Sequence, residues 1–236
     1  MPHFEVTRHK GHGALSGVHD IAVVIDVIRA FTFAKAAFDG GAAQILLAEN
    51  VEDARALAQA HDGALLAGEV DALPIPGFDM GNSPAQAAGR DVRDRTIVHR
   101  TTNGTRMAIA ALAHAPEVLV TGLSNAPATA AHIRALGDQR LQGAGRLLLI
   151  ATHPTGDEDV ACGDHLLELL GLPGGISPGE ALTRTRSADA AAKFLDPAQP
   201  AFPCEDMDHV LSFHPPAYVM RVSAVDGVPA VQKISL

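Results

Sequence analysis

The sequence predicts an α/β fold: a mainly parallel sheet with helices on both faces, plus a smaller C-terminal α+β portion. Three observations carry this. Short apolar runs such as Ile21-Ala22-Val23-Val24-Ile25 lack polar alternation, as strands buried on both faces do. Ala-rich stretches with an apolar stripe at helical spacing separate these runs. Beyond Gly171 the alternation stops, and Pro173, Gly174, Gly175, Pro178 and Gly179 mark a linker or long loop. Alternating strands and helices imply a parallel sheet covered on both faces. Residues 1–172 are therefore expected to form the core, and residues 173–236 a second lobe of helices and a strand pair.

Each element has its own signal. The strand at 21–25 ends at Asp26. A helix over about 29–39 shows a stripe at Ala30, Phe33, Ala34, Ala37 and Phe38, and Gly40-Gly41 stops it. Ile45-Leu46-Leu47-Ala48 is the next strand, and Asn50 caps a helix over 51–60. Ala64-Leu65-Leu66-Ala67 is a third strand, followed by a loop from Glu69 to Asn82. Ser83-Pro84 supplies a cap and then proline at the first helical position. A strand at 96–99, a Thr-Thr-Asn-Gly-Thr turn and a helix over about 105–114 come next. Val118-Leu119-Val120, a helix over 125–136, a strand at 147–151 and an acidic-fronted helix over 157–170 complete the run. Residues 181–195 read as one helix. Residues 218–222 and 228–231 read as a hairpin turning near Asp226-Gly227.

Composition narrows the function. The 236 residues are 47% apolar but only 4% aromatic with no Trp, so Ala, Val, Leu and Ile must build the core. No apolar run reaches the ~18–20 residues that span a bilayer, and the first residues lack signal-peptide order. Two cysteines and no disulfide framework fit a reducing cytoplasm. A net charge of −9 argues against a nucleic-acid binder. Phosphate-loop, dinucleotide, Gly-x-Ser-x-Gly and paired zinc-ligand patterns are all missing. A nucleotide-binding enzyme is thereby disfavoured. Neither cysteine has Arg six residues on, since Glu168 and Val210 stand there, and Ile28 replaces the second Asp of a dehalogenase-type phosphatase. Cys162 lies in a helical stripe with Leu166 and Leu169 and reads as a core thiol. His3, His9, His12 and His19 read as surface residues, and His153 as a catalytic candidate.

In parallel sheets ligands bind beyond the carboxyl ends of the strands. Those ends deliver Asp26 and Arg29, Gly68-Glu69, the 101–105 turn, Ser124-Asn125, and Thr152-His153 followed by Asp157-Glu158-Asp159. Carboxylates suit a hard cation such as Mg²⁺; arginine and backbone N–H groups suit phosphate or carboxylate. Taken singly, most of these features also read as ordinary helix starts and turns. Together they suggest metal-assisted chemistry on a small, highly anionic molecule.

The segments 24–30 (Val-Ile-Asp-Val-Ile-Arg-Ala), Gly68-Glu69, 77–84 (Gly-Phe-Asp-Met-Gly-Asn-Ser-Pro), 101–105 and 158–163 (Glu-Asp-Val-Ala-Cys-Gly) resemble, in order and spacing, the 2-phosphosulfolactate phosphatases. The resemblance implies an α/β fold, Mg²⁺ dependence and hydrolysis of (R)-2-phospho-3-sulfolactate to 3-sulfolactate and phosphate, a step of coenzyme M synthesis. It departs at Val70, where many members carry Arg, and in the tail after about residue 200. The implied catalytic residues are Asp26, Arg29, Glu69 and Asp159. Asp26, Glu69, Glu158 and Asp159 would hold the metal. Asn82, Ser83, Arg100, Thr101, Thr102, Asn103, Gly104, Thr105, Arg106 and Asn125 would bind substrate, with Arg100 and Arg106 taking the charge that Val70 cannot. Asp26 fits either as nucleophile or beside an activated water. The expected partner is a small phosphorylated substrate, with no nucleic acid or membrane, and a homodimer as the base-rate assembly. A non-catalytic binding or regulatory protein for an anionic metabolite is the alternative on the same scaffold.

Overall fold

The computed structural model describes residues 3–141 and 144–236. Strand β1 (His3–Lys10) precedes β2 (Ile21–Ile25), α1 (Ala30–Asp39), β3 (Gln44–Leu47) and α2 (Val51–Ala60). Then come β4 (Leu65–Val70), β5 (Leu73–Pro74), α3 (Pro84–Ala88), β6 (Thr96–Arg100), α4 (Gly104–Ala111) and β7 (Glu117–Thr121). They lead to α5 (Ala126–Gln139), β8 (Ala144–Ala151) and α6 (Asp157–Leu170). Helices α7 (Pro178–Ser187), α8 (Asp189–Ala192) and α9 (Asp206–Val210) precede β9 (Tyr218–Val225) and β10 (Val228–Ser235). Among the described residues no helix is long and apolar enough to cross a membrane.

The strands form one sheet in the order β1-β8-β2-β7-β9-β10-β3-β6-β4-β5. Two groups are parallel within themselves: β1, β8, β2 and β7, and β3, β6 and β4. The terminal hairpin joins them. Because β7–β9, β9–β10 and β10–β3 are all antiparallel, the second group runs opposite to the first. The predicted strand pair thus stands mid-sheet, and residues from both 1–172 and 173–236 build the same sheet. Its turn has φ 50° at Asp226 and 82° at Gly227, the left-handed pair that a two-residue hairpin loop needs.

One sheet face carries Val24, Val120, Met220, Val231, Ile45, Ile97 and Ala67, and packs on α1, α3 and α4. Eight of the ten residues of α1 are buried, including Phe31, Phe33 and Phe38, as expected of a helix enclosed on most sides. On the other face Val23, Ile25, Leu119 and Leu149 pack on α5 and α6. Leu46, Val98 and Ala230 pack there on α2.

Two differences from the sequence reading have plain causes. Strand β1 has no apolar run because it is an edge strand in which Phe4 alone is fully buried. The helix expected over 181–195 breaks at Ala188, whose extended backbone (φ −66°, ψ 147°) separates α7 from α8. A short 3₁₀ turn over Lys193–Leu195 ends the segment.

Candidate active site

The floor of a cleft of about 360 Å³ is built where β2 and β8 end. Asp26, directly after β2, accepts the Ala30 N–H at 2.9 Å and lies 3.2 Å from the Thr152 hydroxyl. Asp159 accepts Val27 N–H at 2.8 Å and His153 N–H at 3.2 Å. It sits in the first turn of α6 with Asp157 and Glu158, where acids complement the helix dipole. Glu158 is 2% exposed, and its Oε2 has no hydrogen-bond partner among the described residues. Burial, reinforced by Glu69, raises the Asp26 carboxyl to about 6. Burial, with the charges of Asp26 and Asp157, raises Glu158 to about 7. Asp159 is pushed well up by burial, Asp26 and Glu158. Three buried acids repelling one another favour a proton or a cation among them.

The facing wall comes from the oppositely running strands. Glu69 on β4 accepts the Thr102 N–H, the Thr102 hydroxyl at 3.0 Å and the Ala72 N–H at 2.6 Å. The Asp71 N–H in turn donates to the Thr102 hydroxyl. Within the 101–105 turn, Thr101 N–H donates to the Thr105 hydroxyl and Thr105 N–H to the Thr101 hydroxyl, both at 2.9 Å. The turn expected to cradle an anion therefore spends the N–H groups of 101, 102 and 105 on protein partners. Thr102 and Asn103 face the cleft, and Gly104 backs onto Asp26. Asp71 and Ala72, at φ 51° and 69°, hold a strained turn that also lines the cleft.

Asn82 enters from the 77–84 loop. Its Oδ1 meets His99 Nε2 at 3.0 Å. His99 is wholly buried and stacked on Phe33, and burial pushes its pKa down to about 3, so the ring is neutral. With His99 donating from Nε2 to Oδ1, the N–H groups of Asn82, which lines the cleft, are left to another partner. Ser83 caps α3, as predicted, and donates to Asp206 at 2.6 Å.

The C-terminal segment supplies the remaining wall. Arg29 Nη1 lies 2.6 Å from Asp206 Oδ2, and its guanidinium carbon is 5.0 and 5.3 Å from the Phe194 and Phe202 ring centres. Lys193 stands 5.3 Å from the Phe202 ring. His12, His153 and Pro154 close the rim.

Of the expected site residues, Asp26, Arg29, Glu69, Asn82, Thr102 and Asn103 share the cleft. Asp159 and Glu158 stand behind Asp26 and do not line the cleft, and Gly104 packs on Asp26. Others lie off it. Arg100 donates to the Glu69 carbonyl at 2.7 Å, and Arg106 is exposed on α4. Thr101, Thr105 and Ser83 are buried behind the walls, and Asn125 accepts Gly122 N–H at 3.0 Å. The added charge given to Arg100 and Arg106 thus has no geometric basis, and Val70, 38% exposed, does not line the cleft. Among the described residues no three acids, His or Cys form a ready-made metal cage. His12, read as surface, is exposed but borders the cleft, whereas His19 is buried. Asp71, Lys193, Phe194, Phe202 and Asp206 were not legible as site residues. Their only signal is two Phe close together in a chain with eight.

Fold and cleft together define an α/β protein with an acid-floored, arginine-walled site sized for a small anion. A model of the 2-phosphosulpholactate phosphatase family matches residues 8–199. A Bacillus subtilis protein named probable 2-phosphosulfolactate phosphatase is 36% identical over 229 residues, 97% of this chain and 98% of that one. Proteins of the same name from Deinococcus radiodurans and Thermus thermophilus are 43% and 37% identical. Those matches span 52% of this chain and 51% of the relative in the first case, and 67% and 65% in the second. The chain belongs to the 2-phosphosulfolactate phosphatase family.

Proposed function

We propose that this protein is an Mg²⁺-dependent phosphatase that hydrolyses 2-phospho-3-sulfolactate, or a closely related 2-phosphorylated hydroxyacid, to the hydroxyacid and phosphate. The observation that carries it is Asp26, buried beside Arg29 in the cleft, with the buried acids Glu158 and Asp159 close enough behind it to repel its charge. Oxygen ligands of this kind suit a hard divalent cation, and Glu158 Oε2, without a hydrogen-bond partner among the described residues, could serve as one. Without a cation, an acidic floor would repel a polyanionic substrate.

Asp26, Glu158 and Asp159 would hold the ion, which would supply positive charge against the phosphoryl oxygens. Arg29 would donate to those same oxygens as charge builds on them. The Asn82 amide N–H groups would orient the adjacent acid. Glu69 adds negative charge on the facing wall and, by accepting from Thr102, fixes where Asn103 presents itself. A water oxygen attacks phosphorus, the ester P–O bond breaks, and the leaving alkoxide takes up a proton. Asp26 can accept the proton of that water, or attack phosphorus itself to give an acyl phosphate that water then cleaves.

Phosphate release from a panel of 2-phosphorylated hydroxyacids, with and without EDTA, tests the reading. Release should be EDTA-sensitive, and Asp26→Asn should abolish it while leaving the thermal melt cooperative. Turnover retained in Asp26→Asn removes Asp26 from the chemistry. Binding without turnover in the wild type would favour a metabolite-binding protein instead.

A further inference from the structure

We propose that Asp206 is a positioning residue for the reaction, setting Arg29 and the Asn82-Ser83 loop in register with each other. The proposal rests on the phosphatase reading of the cleft. Asp206 opens α9 and is 0% exposed. Its two oxygens are divided between two walls. Oδ2 accepts from Arg29 Nη1 at 2.6 Å. Oδ1 accepts from the Ser83 hydroxyl at 2.6 Å and from Ala85 N–H at 3.0 Å. One rigid carboxylate therefore fixes the spacing between Arg29, proposed to meet the phosphoryl group, and Asn82, proposed to meet the neighbouring acid.

The surroundings leave Arg29 little freedom. Phe194 and Phe202 flank its guanidinium, and the Ala201 carbonyl lies 3.4 Å from the nitrogen already held by Asp206. One edge of the fork is tied down while the residue still lines the cleft. A buried ion pair contributes little net stability compared with apolar packing of equal volume. Its consequence here is orientation: a planar donor fork whose tethered edge dictates the direction of its free one. Asp206 also lies beyond the residues matched by the family model, in the segment that sequence reading left without a role.

The test uses Asp206→Asn, which keeps an oxygen for Ser83 and Ala85 but replaces the acceptor facing Arg29 with a donor. Its kcat should fall about 10²-fold, the scale of a misplaced catalytic group, with a much smaller change in KM. Arg29→Met should also lose activity, and Arg29→Met/Asp206→Asn should lose no more than Arg29→Met alone. That double variant has no buried unpaired charge, so the comparison holds even where Asp206→Asn itself folds poorly. Wild-type kcat in Asp206→Asn, or a double variant whose loss is the product of the two single losses, overturns the proposal. Affinity for inorganic phosphate is measured in parallel by calorimetry. If the wild type releases no phosphate, the phosphatase reading falls, and the coupling is judged on affinity alone. An Asp206→Asn loss that vanishes in the Arg29→Met background then upholds it, and unchanged affinity overturns it.

Discussion

Gly104 shows how closely the cleft floor is fitted. A Cβ there would lie 2.6 Å from Ala30 Cβ and 2.7 Å from Asp26 Oδ2, distances that require movement of the acid or of α1. Gly104→Ala should therefore cost about 1–3 kcal/mol of stability, as overpacking does. It should lower phosphate release by about 10²-fold through displacement of Asp26. Thermal melting and kcat check the two effects. Wild-type kcat in a destabilised Gly104→Ala would mean that Asp26 does not need its present place. The glycine of the Thr-Thr-Asn-Gly-Thr turn was readable from sequence as a special position, but the reason for it was not. The sequence suggests an anion nest; the structure shows a close approach to Asp26. The same limit applies to Arg106, which reads as a binding cation from its place beside the turn yet points out from α4. A motif tells which residues share a turn. Which of them face inward depends on the helix that follows.

At the level of elements, the sequence resolves most strands and helices because buried parallel strands and Ala-rich helices leave strong periodic signals. It does not resolve that β3, β6 and β4 run opposite to β8, β2 and β7. Nothing local to Val118-Leu119-Val120 or Ile45-Leu46-Leu47 says that a hairpin far along the chain will stand between them. The polar turns were expected at the ends of one parallel sheet, and they come instead from two opposed groups. The cleft forms because α1 and α4 lie against one continuous face and bring Asp26 and Gly104 together. The hairpin is consequently structural for both halves: Val219, Met220, Val222, Ala230 and Val231 are each at most 2% exposed. A chain ending at Leu172 would bare those contacts and leave β7 and β3 as unpaired apolar edges. We expect it to lack a cooperative thermal transition and to associate on gel filtration. A monomeric, cooperatively melting product would show instead that residues 1–172 are self-sufficient.

For the whole molecule, the raised carboxyls link folding to pH and to the proposed metal. Asp26 and Glu158 rise from 3.8 and 4.5 to about 6 and about 7 in the folded protein, mainly through burial. The folded state therefore keeps protons that the unfolded chain has already lost in this window. The sign follows from proton linkage: the unfolded state binds fewer protons, so stability falls as pH rises. This contribution is fully present below about pH 4, declines through the folded pKa values and is gone above about pH 7. An ion bound by the same acids acts in the opposite sense, because it needs them ionised. Metal-free protein should melt at progressively lower temperature between pH 5 and pH 7, and millimolar Mg²⁺ should restore the loss at pH 8 while changing little at pH 5. Glu158→Gln should flatten the pH dependence and weaken the Mg²⁺ effect together, since it removes both a raised acid and a ligand atom. Melting curves across pH with Mg²⁺ or EDTA read all of this without any substrate. A Tm at pH 8 that ignores Mg²⁺, in a protein whose phosphate release also ignores EDTA, would leave the acidic floor without a cation. Arg29 and Lys193 would then be the only permanent cations among the described residues that line the cleft. One of these already carries Asp206 as its partner, so a substrate bearing phosphate, carboxylate and sulfonate would have too little positive charge to meet it, and the sulfolactate reading would fall with the metal.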